Sequence, residues 1–267
     1  MIKEKAIKAA LIDWLYSKGH VDDAVLINEM VVANWARRAD LALANGRLHG
    51  FEIKSAFDSL KRLPGQIESF QKHFDKVTVV AASKFIPEIL KCYPEEVGVL
   101  EVCLRAGRVM FRQARSGRIS EVRDRQIIAS LITKAELEKL LRQEGVYFQS
   151  GTSRKELLPF VDYLPVKRLK LFALACIKQR YQETFNAFDN ARRITGSLGS
   201  LSLLSRAENN RISLAAVPEL PCSAFRSIDS ANYKSVDFSV FGEECGALAE
   251  VVPHTVLTKK KYQIKSS

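Results

Sequence analysis

Apolar residues first recur at helical spacing over 6–15, where Ile7, Leu11, Trp14 and Leu15 share a face before Gly19. The run Ala24-Val25-Leu26-Ile27 with Met30-Val31-Val32 fits a strand, or equally a helix end around Glu29. Two short alternating runs, 38–43 and 48–54, then flank Asn45-Gly46, which is a strong hairpin signal. Residues 59–74 read as a helix with Pro64 in its first turn and Ile67, Phe70 and Phe74 on one face. The run 76–82 is apolar on both faces, as a central strand is. A short helix over 87–92 and a hairpin of 98–102 with 108–111 around Ala106-Gly107 complete this part.

From Arg123 the period becomes helical. Thr133-Lys134-Ala135-Glu136 and Ser153-Arg154-Lys155-Glu156 both match the capping box, in which a hydroxyl and a carboxylate satisfy the free amides of a helix start. A long helix is predicted from Val166 to about Phe185, with Leu169, Phe172, Ala173, Cys176 and Ile177 on one face. Beyond Gly196 no period is sustained, and the chain ends in a basic run at 259–261. The predicted organisation is an α/β part over 1–121 (helix, three strands, helix, strand, closing hairpin), a helical region over 122–195 and a mostly irregular segment over 196–267.

The first part carries polar groups where a buried sheet should not want them. Glu52 and Lys54 lie two apart on one strand, hence on one face, and Asp40 lies on the preceding strand. Two carboxylates beside a lysine offer hard oxygen ligands for Mg²⁺ or Mn²⁺ and an ammonium to hold a water, a set suited to phosphodiester hydrolysis. A two-residue loop at Asn45-Gly46 would set Asp40 against Phe51, on the wrong face. A three-residue loop, Ala44-Asn45-Gly46, with Gly46 left-handed sets it against Gly50, on the Glu52 face. The metal-site reading therefore predicts a bulged hairpin. Alone, Glu-x-Lys is common on exposed strands and reads as a surface ion pair.

These residues resemble the PD-(D/E)XK nuclease superfamily, within it a group of poorly characterised bacterial proteins. The resemblance covers roughly 1–115 and rests on Arg38-Ala39-Asp40, Gly50-Phe51-Glu52-Ile53-Lys54-Ser55, Leu63-Pro64-Gly65-Gln66-Ile67-Glu68-Ser69-Phe70 and Phe74-Asp75-Lys76-Val77. It implies a restriction-endonuclease-like core with Asp40 and Glu52 as metal ligands, Ile53 lending its backbone carbonyl, and Lys54 as the catalytic lysine. Gln66 matches a glutamine that some branches place beside the site. Glu29 matches an additional acid that resolvase-like branches supply. The superfamily's proline before the first Asp is Ala39 here, and an aromatic that is often Tyr is Phe70.

Composition narrows the partners. Of 267 residues, 41 are Lys or Arg and 30 Asp or Glu, a net charge of +11 that points to a polyanion, with nucleic acid foremost. Residues 1–121 carry 19 basic and 15 acidic residues (+4) and 122–267 carry 22 and 15 (+7), so much of any non-specific grip on DNA is assigned to the later region. Arg37, Arg38, Lys61 and Arg62 flank the site and either touch phosphate or form a solvated face. No apolar run reaches the ~20 residues of a membrane span. The charged start, Met1 to Lys8, does not resemble a signal peptide, and five cysteines without a CxxC pair support neither a disulfide framework nor a zinc ribbon, so a reducing cytoplasm is expected. His20, His73 and His254 show no ligand spacing, His49 reads as a packed core or rim residue, and Trp14 and Trp35 as core. The reading is a Mg²⁺- or Mn²⁺-dependent deoxyribonuclease. Its alternatives are a non-catalytic DNA-binding or assembly module on a nuclease fold, and a nuclease effector licensed by a partner protein.

Overall fold

Short apolar runs, some alternating and some buried on both faces, form six strands that align into one sheet. The computed structural model describes residues 2–32 and 37–205, with three short strands at 225–227, 233–236 and 255–257. Helix α1 (Glu4–Ser17) leads into β1 (Val25–Val32), β2 (Arg37–Ala44) and β3 (Leu48–Lys54). Then come α2 (Leu63–His73), β4 (Lys76–Ala82), α3 (Ile86–Cys92), β5 (Val97–Arg105) and β6 (Arg108–Arg115). Strand order follows chain order from β1 to β6. β3, β4 and β5 are parallel to one another, and the remaining neighbours are antiparallel. The chain is thus a mixed α/β protein, and the run around Glu29 is strand rather than helix.

The β2–β3 loop has three residues, as a shared carboxylate face requires, but it is Asn45-Gly46-Arg47 rather than 44–46. Gly46 takes φ +85°, a value that glycine adopts without penalty. The register consequently differs from the expected one by two residues: Ala42 faces Gly50, Leu41 faces Phe51, and one step on Asp40 falls level with Glu52. An even displacement leaves the face unchanged. Gly50 is required for packing, because a Cβ there would stand 2.9 Å from the Phe74 ring behind α2. α2 begins at Leu63, later than the expected 59, with Pro64 in its first turn.

A second apolar cluster gathers α4 (Arg125–Ser130), α5 (Lys134–Gln143), α6 (Arg154–Leu157) and the first half of α7 (Val166–Ser200). Both predicted capping boxes form, at Thr133 and Ser153. α7 serves two cores: Leu169, Ala173 and Cys176 pack among the small helices, while Leu174, Ile177, Phe185 and Phe188 pack with the sheet. It continues past the expected end at 185 to a kink at Gly196 (φ 73°). Two contacts with α1 accompany the extension, Tyr16 Oη donating to Asp189 at 2.6 Å and Ser197 Oγ to Asp13 at 2.5 Å.

The chain divides into units 1–211 and 212–267. In the second, three strands, β7 (Phe225–Ser227), β8 (Tyr233–Val236) and β9 (Thr255–Leu257), pair antiparallel, so the irregular reading of 196–267 misses them as well as the end of α7. The basic run 259–261, Trp35 and His254 lie outside the described residues. Among the described residues no helix is long and apolar enough to cross a membrane.

One buried acid ties the helical cluster to the sheet. Asp75, 2% exposed, accepts from the Leu48 and Val122 amides, both at 3.0 Å, and from Lys170 Nζ on α7 at 2.6 Å. Removing a buried carboxylate that satisfies three donors strands them all. Asp75→Ala is expected to lower the unfolding free energy by about 3–5 kcal/mol in a urea titration; a loss under about 1 kcal/mol would mean that the docking rests on apolar contacts alone.

Candidate active site

The acid pair sits where the β2–β3 ladder ends. Beyond Leu41–Phe51 the next amide, that of Ile53, donates to the Asp40 side chain, at Oδ2, at 2.6 Å. The Asp40 carboxylate therefore leans towards β3. Glu52 (2% exposed) and Lys54 (4%) project on the α2 side of β3. Lys54 Nζ donates to Glu52 Oε1 at 2.8 Å, and Gln66, from the first turn of α2, donates to the same oxygen at 2.5 Å while accepting from Lys54 at 3.1 Å.

Glu52 Oε2 is left over. It is buried and has no hydrogen-bond partner. A buried carboxylate oxygen without a donor is costly, so its position calls for a cation or a proton. Among the described residues no three His, Cys, Asp or Glu side chains converge to hold a metal. The set fits a cation that keeps most of its waters and takes one or two carboxylates, as Mg²⁺ does, and it does not fit a fully protein-ligated ion.

All ten residues singled out by sequence line one cleft of about 540 Å³: Asp40, Glu52, Ile53, Lys54, Gln66, Glu29, Arg37, Arg38, Lys61 and Arg62. Their roles separate there. Glu29 lines the cleft without bonding to the Asp40–Glu52–Lys54–Gln66 network; its carboxylate pairs with Arg38 at 3.1 Å, and its backbone is left-handed at φ 56° in mid-strand. Arg37, Arg38, Lys61 and Arg62 are exposed along the rim. Sequence reasoning missed Glu4 and Asp58 in the lining. Asp58 accepts from the Ser55 amide at 2.8 Å and hydroxyl at 2.6 Å, fixing the turn that leaves β3, and the Ser-x-x-Asp spacing carries that signal. It also missed Lys8, a buried α1 lysine on Asn28 Oδ1 at 3.0 Å, whose charge reaches Asp40. His49 is half-buried and packed, with Nε2 2.8 Å from Thr78 Oγ1 and its ring 4.0 Å from that of Phe51. Trp14 is half-buried against the sheet core, and His73 Nδ1 lies 2.7 Å from the Ser69 carbonyl oxygen.

Burial sets the proton affinities. It pushes the Glu52 carboxyl up to about 7, the Asp40 charge adds to this, and the ammonium of Lys54 and amide of Gln66 oppose it. Asp40 is raised for the same first reason, against the Ile53 amide and the Lys8 charge. A carboxyl raised on folding binds more protons in the folded state, so its contribution is present below the unfolded value and is lost as pH rises through about 7. Burial holds His49 well below its usual value, which acts in the opposite sense below about pH 6.5. The comparison that isolates Glu52 is therefore wild type against Glu52→Gln. In metal-free buffer the melting temperature of wild type is expected to fall relative to the variant between about pH 5.5 and 8; parallel curves would contradict a raised Glu52.

Comparison with known proteins fixes the family. A family model described as bacteriophage P4 protein cII matches residues 1–205. Protein cII of Enterobacteria phage P4 is 39% identical over 263 residues, spanning 97% of this chain and 98% of that one. A solved structure of a protein of unknown function from Silicibacter pomeroyi aligns with a TM-score of 0.34 and 17% identity over 57% of this chain and 99% of the other, a likeness too slight to carry an argument. The chain belongs to the bacteriophage P4 protein cII family.

Proposed function

We propose that this protein is a metal-dependent nuclease of the PD-(D/E)XK type, with a restriction-endonuclease-like core, hydrolysing phosphodiester bonds in DNA. The observation that carries the reading is the unpartnered, buried Glu52 Oε2 beside Asp40, with Lys54 locked between Glu52 and Gln66. Asp40 and Glu52 would hold Mg²⁺ or Mn²⁺, with the Ile53 carbonyl as a further oxygen. Bound there, the ion supplies charge stabilisation to the phosphate and a more acidic water. Lys54 holds its ammonium at the cleft by two hydrogen bonds, placed to orient a water or steady a developing negative charge. Gln66 fixes both Glu52 and Lys54 and so positions them. The rim cations Arg37, Arg38, Lys61 and Arg62 supply sequence-independent contacts to phosphates.

A non-catalytic binding module explains the site less well. A fold kept for binding gains nothing from a desolvated acid pair with an orphaned oxygen. The discriminating assay is cleavage of duplex, single-stranded and branched DNA and of RNA with Mg²⁺ or Mn²⁺. Wild type is expected to cut DNA, with Asp40→Ala and Lys54→Ala each slower by about 100-fold or more. Binding without cutting, or variants that cut at the wild-type rate, would overturn the catalytic reading.

A further inference from the structure

A second depression lies on the same side of the sheet as the cleft. Gly50 abuts Phe74 and Glu52 bonds Gln66, so the even positions of β3 face α2. The cleft opens at the start of α2, at Gly65 and Gln66, while a groove of about 700 Å³ opens beyond its end, beside Asp75. Arg47 precedes β3 and Lys54 closes it, so the two depressions stand about 20 Å apart at ~3.3 Å per strand residue. The groove lies between the β2–β3 loop, the segment after β6 and the first turns of α7.

Its lining carries more basic than acidic side chains, and three of its four cations are unpaired among the described residues. The side chains of Arg47, Arg123 and Lys167 have no hydrogen-bond or ion-pair partner among the described residues, whereas Lys170 is neutralised by Asp75. Burial, and after it the nearby Arg47 charge, weaken Lys76's hold on its proton, and in the groove itself four cations face two acids, Glu121 and the Lys170-bound Asp75, which leaves an excess of positive charge. Like charges held together without partners are unfavourable and are relieved by an anion. Among the described residues no aromatic side chain lines the groove, so none there stacks on bases. The apolar exposure is modest, since Ile119 (50%) and Leu171 (55%) protrude while Val122 and Leu174 are buried.

We infer that this groove is a second, sequence-independent contact for the phosphate backbone of nucleic acid, gripping the duplex on the far side of α2 from the site of cleavage. The inference rests on the nuclease reading for its choice of polyanion. A strand held at both places spans about 20 Å, or about six base pairs at 3.4 Å each. Grip is then separated from chemistry: backbone contacts set affinity and register, and the acid pair acts on whichever bond is delivered to it.

The test is fluorescence anisotropy of the full chain with a duplex of about 20 base pairs, with Ca²⁺ in place of Mg²⁺, titrated with NaCl. Arg47→Glu with Lys167→Glu, and Arg123→Glu, are compared with Lys91→Glu on α3, which lines neither depression; Gln versions replace any reversal that fails to fold. Expected are a loss of affinity of about tenfold or more and a salt slope shallower by about 2 for the double variant, with little change for Lys91→Glu. Unchanged affinity and slope would overturn the inference, as would losses as large for Lys91→Glu. An acidic amphipathic peptide that binds the groove where DNA does not would overturn it in favour of a protein partner. Mg²⁺-dependent hydrolysis of bis(p-nitrophenyl) phosphate by wild type is run in parallel. Its absence with groove-dependent DNA binding would sink the nuclease reading and leave the groove standing; its presence with groove-independent binding would do the reverse.

Discussion

The candidate site depends on one geometric constraint, the odd-numbered loop joining β2 to β3. With three residues in the loop, Asp40 and Glu52 fall level across the ladder and share a face. With two or four they would lie on opposite sides of the sheet. Gly46 makes that loop accessible by accepting a left-handed backbone, and Gly50 lets Phe74 close over the same face. These small residues place the acid pair beneath α2, where water is scarce.

Scarcity of water then governs the chemistry. Two carboxylates that share a buried site repel each other and resist ionisation, and Lys54 and Gln66 compensate only one oxygen of Glu52. The uncompensated oxygen is an instability built into the fold, and a divalent cation is the counter-charge that best relieves it. Rim cations on the same cleft add positive charge at its mouth without bonding to the Glu52 carboxylate. Asp75, a buried acid of the same sheet layer, shows the contrast: its oxygens meet two amides and an ammonium, and it reads as structural cement.

Much of this was legible in sequence because it is local. Alternation over 38–43 and 48–54 fixed the strands, and two capping boxes fixed helix starts at Thr133 and Ser153. Sequence alone sets the loop one residue early because Ala44 and Arg47 both suit its edges; only the pairing of Ala44 with Leu48 decides. Glu29 was ambiguous because its neighbours suit strand or helix, and its partner Arg38 comes from the next strand. The last turns of α7 had no visible period, since Asn186, Asn190 and Thr195 dilute it, and the contacts made by Tyr16 and Asp13 come from the other end of the chain. The Asp75–Lys170 pair spans 95 residues, and no local pattern announces such a contact.

The central claim is that the Asp40–Glu52 pair takes a divalent cation in exchange for a proton. Calorimetric titration of Mn²⁺ at about pH 6.5, in two buffers of different ionisation enthalpy, measures both at once. The account predicts one bound Mn²⁺ with the release of close to one proton, and loss of both in Asp40→Ala. Absence of Mn²⁺ binding by wild type, or binding that survives in Asp40→Ala without proton release, would contradict it.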